Sequence, residues 1–309
     1  MKKMSNRILF FGNERLGTGV TTTAPTLQAL LAAGYDVAAV IVAQNDLGRS
    51  RRQRELEITQ VAALHHIPLL SPAKLSEARD ELQAFGAQAA VLVAYGKIVP
   101  QSIIDLFPSG IINIHPSLLP KHRGPTPIES IILDGDKETG VSLMRLSAKM
   151  DAGPVYAQET VLLSGTETKP ALAEQLLNVG KDMLIAYLPQ ILDGSLEPTG
   201  QANDEATYDK LLQRADSELD FSKPAEQLER EIRAYAGWPR SRAMVGTTEV
   251  IITQAHTANE HGVAGTLRLD GNEMAMYCDN GLLVIDRLIP SGKKEMSATA
   301  FLAGYNPEK

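Results

Sequence analysis

Short apolar runs alternate with helix-like stretches from Arg7 to His115, and this rhythm limits the fold more than any other feature. Arg7–Phe11 (RILFF), Asp36–Val42 (DVAAVIV), Ala89–Val93 (AAVLV) and Gly110–His115 (GIINIH) read as strands buried on both faces. Thr22–Ala33, Glu55–His66 and Leu75–Phe85 read as the helices between them, with Pro25 tolerated in a first turn and Gly34 as a stop. Pro68–Leu70 is a further short strand. A β-α-β-α order predicts a mostly parallel sheet with helices on both faces, whose ligands sit beyond the carboxyl ends of its strands. Ile128–Leu133 reads as a helix, and Val141–Lys149 and Val155–Leu163, joined by Asp151-Ala152-Gly153-Pro154, as an antiparallel pair at the sheet edge. A helix over Ala171–Ile191 closes a first domain, placed at residues 1–192. Residues 193–206, rich in Gly, Pro, Asp and Asn, are expected as a linker. Residues 207–309 are expected as a second domain, with two short helical stretches before Ala234 and then strands separated by turns such as Asp270-Gly271 and Asn280-Gly281. That spacing predicts a small β-barrel.

Composition narrows the function classes. The 309 residues suit two domains at ~150 residues each. No apolar run approaches the ~20 residues that span a bilayer, and the first residues lack a secretory pattern, so no membrane partner is expected. Cys278 is the only cysteine, which excludes intrachain disulfides and cysteine-rich zinc sites and points to a cytoplasmic setting. With 30 basic and 37 acidic residues the net charge is −7, so nucleic acid would have to be met by local basic patches. Arg49, Arg51, Arg52 and Arg54 form the densest such cluster, and Arg233, Lys293 and Lys294 are later candidates.

Gly12–Gly19 (GNERLGTG) follows a strand and precedes a helix, as a phosphate cradle does. It lacks the lysine of a P-loop, and Thr22 replaces the third glycine of a dinucleotide fingerprint, so a ligand-facing loop without a diphosphate is expected. Asp134-Gly135-Asp136 resembles the start of a calcium loop, but Thr139 and Arg145 stand where that loop needs glycine and glutamate. The informative stretch is Ile111–Pro127 (IINIHPSLLPKHRGPTP). Alternation puts Asn113 and His115 on one face at the carboxyl end of an apolar strand. An amide and an imidazole there must find partners. They form a hydrogen-bonded pair that ties down a loop, or an amide donor and a base set for acyl transfer, with Asp151 close enough in the edge turn to orient the histidine. A metal site from His115, His122 and Asp151 fits the intervening prolines poorly, and no metal is expected. No G-x-S-x-G elbow or nearby cysteine favours a covalent acyl-enzyme.

At these residues the chain resembles the 10-formyltetrahydrofolate-dependent formyltransferases. Asn113-Ile-His115, Ser117-Leu118-Leu119-Pro120, Arg123-Gly124, Asp134-Gly135-Asp136 with Thr139-Gly140-Val141, and Met150-Asp151-Ala152-Gly153 occur in that family's order and spacing. Gln201, Ala206-Thr207-Tyr208-Asp209-Lys210, Ile232-Arg233-Ala234, Trp238-Pro239 and Gly292-Lys293-Lys294 resemble the branch that acts on methionyl-tRNA. The longer turn Gly12–Gly19 departs from the family's short one. The resemblance implies an α/β, Rossmann-like catalytic domain with a mostly parallel sheet, followed by a small OB-like β-barrel that helps hold tRNA. It implies 10-formyltetrahydrofolate as formyl donor and the α-amine of initiator methionyl-tRNA as acceptor. Asn113, His115 and Asp151 would be catalytic. Val93, Ala94, Tyr95, Gly96, Ile98, Ser117, Leu118, Leu119 and Pro120 would meet the folate, and Arg49, Arg51, Arg52, Arg54, Arg233, Lys293 and Lys294 the tRNA. The chain is expected to act as a monomer. The alternatives are a sugar-nucleotide or glycinamide ribonucleotide amine as acceptor, or a non-catalytic RNA-binding relative.

Overall fold

The apolar runs pair as parallel strands because each can bury side chains on both faces under helices. The computed structural model describes residues 6–43 and 56–305. It contains β1 (Arg7–Gly12), α1 (Pro25–Ala32), β2 (Asp36–Ile41), α2 (Glu57–Leu64), β3 (Leu69–Leu70), α3 (Arg79–Ala84), β4 (Ala89–Val93) and α4 (Gln101–Ile104). Then come β5 (Ile111–His115), α5 (Pro127–Asp134), β6 (Glu138–Arg145), β7 (Val155–Leu162) and the long α6 (Lys169–Asp193). Sheet order is β3-β2-β1-β4-β5-β6-β7. The first five strands in that order run parallel; β6 pairs antiparallel with β5, and β7 with β6, as the edge hairpin predicted. Every residue of β4 and β5 is buried, including the polar Asn113 and His115.

The chain forms two compact units. One joins the residues up to Ile128 with Glu138–Leu162 and Leu172–Lys210; the other joins Glu129–Lys137, Leu163–Ala171 and the residues from Leu211. The 193–206 segment is therefore packed on the first unit, for a reason that lies in its hydrogen bonds at the site described below. In the first unit a cluster including Leu9, Phe11, Ile41, Leu82, Leu92, Tyr95, Ile103 and Phe107 packs one face of the sheet. Phe11 meets Tyr95 and Phe107 edge to face, with ring centroids 5.6 and 6.2 Å apart.

The second unit holds α7 (Ala225–Ala234), β8 (Ser241–Val245), β9 (Thr248–Ala258), β10 (Leu267–Asp270), β11 (Glu273–Tyr277), β12 (Leu282–Pro290), β13 (Met296–Ser297) and α8 (Ala298–Gly304). All its strand pairs are antiparallel, in the order β10-β11-β12-β9-β8 with β13 beside β12. Register shifts near Arg287 bend β12 against β9. Residues of β8, β9, β11 and β12 thereby share one core with Leu228 and Ile232 of α7 and Phe301 of α8. Of the two helical stretches expected between Thr207 and Ala234, only α7 is an α-helix. Arg214–Ser217 is a single 3-10 turn, closed by reciprocal bonds between Gln213 and Asp216.

Candidate active site

β5 delivers Asn113 and His115 to one face at its carboxyl end, and both are buried, 6% and 4% exposed. His115 Nε2 lies 3.0 Å from the carbonyl oxygen of His122. A carbonyl only accepts, so Nε2 carries a proton and donates it, which leaves Nδ1 as the atom open to proton exchange. Nδ1 faces Asp151 Oδ1 at 3.8 Å, an ion-pair distance rather than a hydrogen bond. The other carboxylate oxygen, Oδ2, accepts the Gly124 amide at 2.8 Å. The imidazole thus sits between a fixed acceptor and a fixed anion.

Backbone in the left-handed region surrounds this pair. Ala94, His122 and Asp151 have φ of 51°, 56° and 47°, conformations that cost L-residues energy and persist only where neighbours hold them. Gly124 has φ 126°, and a Cβ there would come within 2.9 Å of the Asp209 carbonyl oxygen. The neighbours are visible. Residues 121–124 are bound to the segment 207–209 by Arg123 N to Thr207 O (3.0 Å), Asp209 N to Arg123 O (2.7 Å) and His122 N to Thr207 Oγ1 (2.8 Å). His122 Nδ1 also lies 3.2 Å from Asp209 Oδ1. Arg123 is 1% exposed. Its Nε and Nη2 donate to Gln201 Oε1 at 3.1 and 2.7 Å, Nη2 also to Asn203 Oδ1 at 2.8 Å, and Nη1 to the Tyr208 hydroxyl at 2.8 Å. The guanidinium carbon sits 5.6 Å from the centre of the Tyr208 ring. Among the described residues no carboxylate pairs with Arg123. This cage is why the 193–206 segment belongs to the first unit.

A second network fixes the loop after β5. Ser142 on β6 donates its hydroxyl to Ser117 O (2.7 Å) and accepts from Leu119 N (3.0 Å) and Gln158 Nε2 (2.8 Å), and Gln158 Nε2 also donates to Leu119 O (2.8 Å). Ser117 Oγ donates to Lys121 O at 2.7 Å, and the Leu119–Pro120 peptide is cis. Of the nine residues expected at a folate pocket, Val93, Tyr95, Ser117 and Leu119 are buried; Ala94, Leu118 and Pro120 are half-buried, and Gly96 and Ile98 are exposed.

The Gly12–Gly19 segment is organised from within by Glu14. Its carboxylate, wholly buried, accepts the Thr26 and Leu27 amides at 2.8 and 2.9 Å, so it caps α1 from a distance. Its own amide donates to Val93 O at 3.2 Å. Burial pushes the Glu14 carboxyl above its ordinary value, against those hydrogen bonds. A Cβ on Gly12 would stand 1.9 Å from Val93 O, so only glycine permits this approach of β1 to the end of β4.

Among the candidate tRNA contacts, Arg49, Arg51, Arg52 and Arg54 lie outside the described residues. Arg233 is committed within its unit: it pairs with Glu229 at 2.6 and 2.8 Å and donates to Glu167 O at 2.9 Å. It forms part of the wall of a groove of about 630 Å³ in the second unit, where Lys137 and Arg230 are offset by Asp136 and Glu226. Lys293 and Lys294 are exposed on the turn between β12 and β13. Among the described residues no three His, Cys, Asp or Glu side chains gather as metal ligands would, and no helix is long and apolar enough to cross a membrane.

Sequence reasoning missed Gln201, Asn203 and Tyr208 as the partners of Arg123, and Ser142 and Gln158 beneath the 117–120 loop. The one local signal was Ser142, a hydroxyl amid the apolar run Val141–Met144. Residues 7–188 match the formyl transferase family and 211–306 its C-terminal domain. The chain is 35% identical to a methionyl-tRNA formyltransferase of Halorhodospira halophila over 97% of each chain, and 34% identical to one of Chloroflexus aurantiacus over 98% of each. An N-formyltransferase from Helicobacter canadensis, solved with folinic acid and dTDP-3-aminofucose, shares the fold with a TM-score of 0.68 at 20% identity, covering 91% of this chain and 99% of that one.

Proposed function

We propose that this chain, which belongs to the formyl transferase family, transfers the formyl group of 10-formyltetrahydrofolate to the α-amine of methionyl-tRNA. The observation that carries the reading is the convergence of an amide-bearing strand, a proton-exchanging Nδ1 and a carboxylate within one unit, in a chain related along its whole length to methionyl-tRNA formyltransferases. An α-amine titrates near ~7.7, so much of it is neutral and nucleophilic at cytosolic pH. Its nitrogen attacks the formyl carbon, and the carbonyl oxygen becomes an oxyanion. Asn113 donates its side-chain N–H to that oxyanion. His115 takes the proton lost by the amine on Nδ1, because Nε2 is held by the His122 carbonyl. The imidazolium then faces the Asp151 carboxylate, which stabilises it and keeps the ring in place. Collapse breaks the bond from the formyl carbon to the folate nitrogen, and His115 returns the proton to that nitrogen.

Ala94, Gly96, Ile98, Leu118 and Pro120, with backbone groups of Val93, Tyr95, Ser117 and Leu119, form the donor's wall. The acceptor RNA is met by Arg49, Arg51, Arg52, Arg54, Lys293 and Lys294 as phosphate contacts, while Arg233 supports the second unit from inside. The chain works as a monomer in the cytoplasm. The test is Asp151→Asn. The expected outcome is a turnover loss of ~10²-fold or more with folate binding retained, since Asn cannot balance the imidazolium. Turnover close to that of the unaltered chain would remove Asp151 from the mechanism.

A further inference from the structure

Gln201 makes its hydrogen bonds to Arg123, Asp151 and Gly153 rather than to His115 or Asn113, yet its amide is fully used and only one orientation satisfies it. Oε1 faces two guanidinium N–H groups of Arg123, at 2.7 and 3.1 Å. Those groups only donate, so the oxygen must point at Arg123 and the NH2 must point away. Pointing away, Nε2 donates to the backbone carbonyls of Asp151 at 2.8 Å and Gly153 at 2.6 Å. Asp151 is held in the left-handed region at φ 47°. Its carboxylate is fixed separately by the amide of Gly124, the residue next to Arg123. Arg123 and Gly124 therefore grip Asp151 twice: the backbone through Gln201 and the carboxylate directly.

We infer that Gln201 is a positioning residue for Asp151, anchored by the buried Arg123 cation. The inference rests on the role proposed above for Asp151. Burying a guanidinium among neutral acceptors is costly. The cage of Gln201, Asn203 and Tyr208 keeps each acceptor pointed at the cation, and through Gln201 that fixed geometry reaches the turn carrying the carboxylate. Among the described residues Gln201 Nε2 is the hydrogen-bond donor to the Asp151 carbonyl, so without it the left-handed turn loses that backbone anchor while Gly124 still holds Oδ2. Held at Oδ2 alone, the carboxylate can swing Oδ1 away from the 3.8 Å approach to His115 Nδ1 that balances the imidazolium.

The test is a double-mutant cycle of Gln201→Glu and Asp151→Asn, read as formylation of methionyl-tRNA. Gln201→Glu keeps oxygen acceptors for Arg123 but removes the donor to the Asp151 and Gly153 carbonyls. In the otherwise unaltered chain it should lower kcat by about 10- to 100-fold, the scale expected of a small misplacement. KM for the folate donor and for methionyl-tRNA should stay within about twofold. In the Asp151→Asn background the same change should alter kcat by less than about twofold, since the group it positions is gone. A merely structural role predicts multiplied effects and altered KM values. Either that result or an unchanged kcat overturns the inference. If thermal melting shows Gln201→Glu unfolded at the assay temperature, Gln201→Asn replaces it: the amide is kept but is too short to span from Arg123 to Asp151, and the same outcomes decide. Absence of formylation by the unaltered chain would instead overturn the formyl-transfer reading itself.

Discussion

Replacing Ser142 by alanine removes one oxygen from beneath the 117–120 loop. The hydroxyl is fully buried on β6. Its loss leaves the Leu119 amide and the Ser117 carbonyl without the bonds of 3.0 and 2.7 Å they make to it, whereas Gln158 keeps its bond to Leu119 O. An orphaned buried group costs about 1–3 kcal/mol. Two such groups, with partial relaxation toward Gln158, put the local cost at about 2 kcal/mol. At 1.4 kcal/mol per factor of ten, that is an increase of about 30-fold in opening of the segment. Amide hydrogen exchange followed by mass spectrometry on the peptide containing Leu119 reads it directly. The same loop carries part of the proposed folate wall, so KM for the donor should rise several-fold while kcat changes less. Exchange at Leu119 no faster than in the unaltered chain, together with an unchanged donor KM, would refute the argument that Ser142 holds this loop.

Glu14→Gln removes a buried carboxyl whose burial raises its pKa above 4.5. The folded state holds that proton more tightly than the unfolded state, so the unaltered chain should lose stability relative to Glu14→Gln as pH rises from 4.5 through the folded value; urea melts at a series of pH values check the sign. Cys278 is buried and its thiol is pushed up to about 11 by burial, so a thiol reagent at pH 8 should react slowly with the folded protein and rapidly in urea. Converting Arg51, Arg52 and Arg54 together to alanine should raise KM for tRNA and flatten its salt dependence while the donor KM holds; equal salt slopes in both proteins would remove this cluster from RNA binding.

Much of the first unit could be read from the chain because its strands are continuous apolar runs. Ala89–Val93 and Ile111–His115 needed no tertiary information, and polar residues at the end of the second run stood out against it. The boundaries drifted where local rules compete. The helix expected from Thr22 begins at Pro25 because Ala24 turns left-handed and Glu14, ten residues earlier, supplies the cap. Arg123 was legible only as part of the Arg123-Gly124 motif. Its partners lie 78 to 85 residues away, beyond any local pattern. β8 was missed because Ser241 and Arg242 break the apolar alternation; Arg242 is answered by Glu249 across the strand pair. α8 was not foreseen, although its start carries a local signal in Ser297, whose hydroxyl accepts the Ala300 amide.

The central claim is tested most directly by incubating the purified chain with 10-formyltetrahydrofolate and methionyl-tRNA, hydrolysing the ester and weighing the released amino acid. The account predicts formylmethionine from the unaltered chain and a yield lower by ~10²–10³-fold from Asn113→Ala at equal time. Unmodified methionine from the unaltered chain, or undiminished formylmethionine from Asn113→Ala, would contradict it.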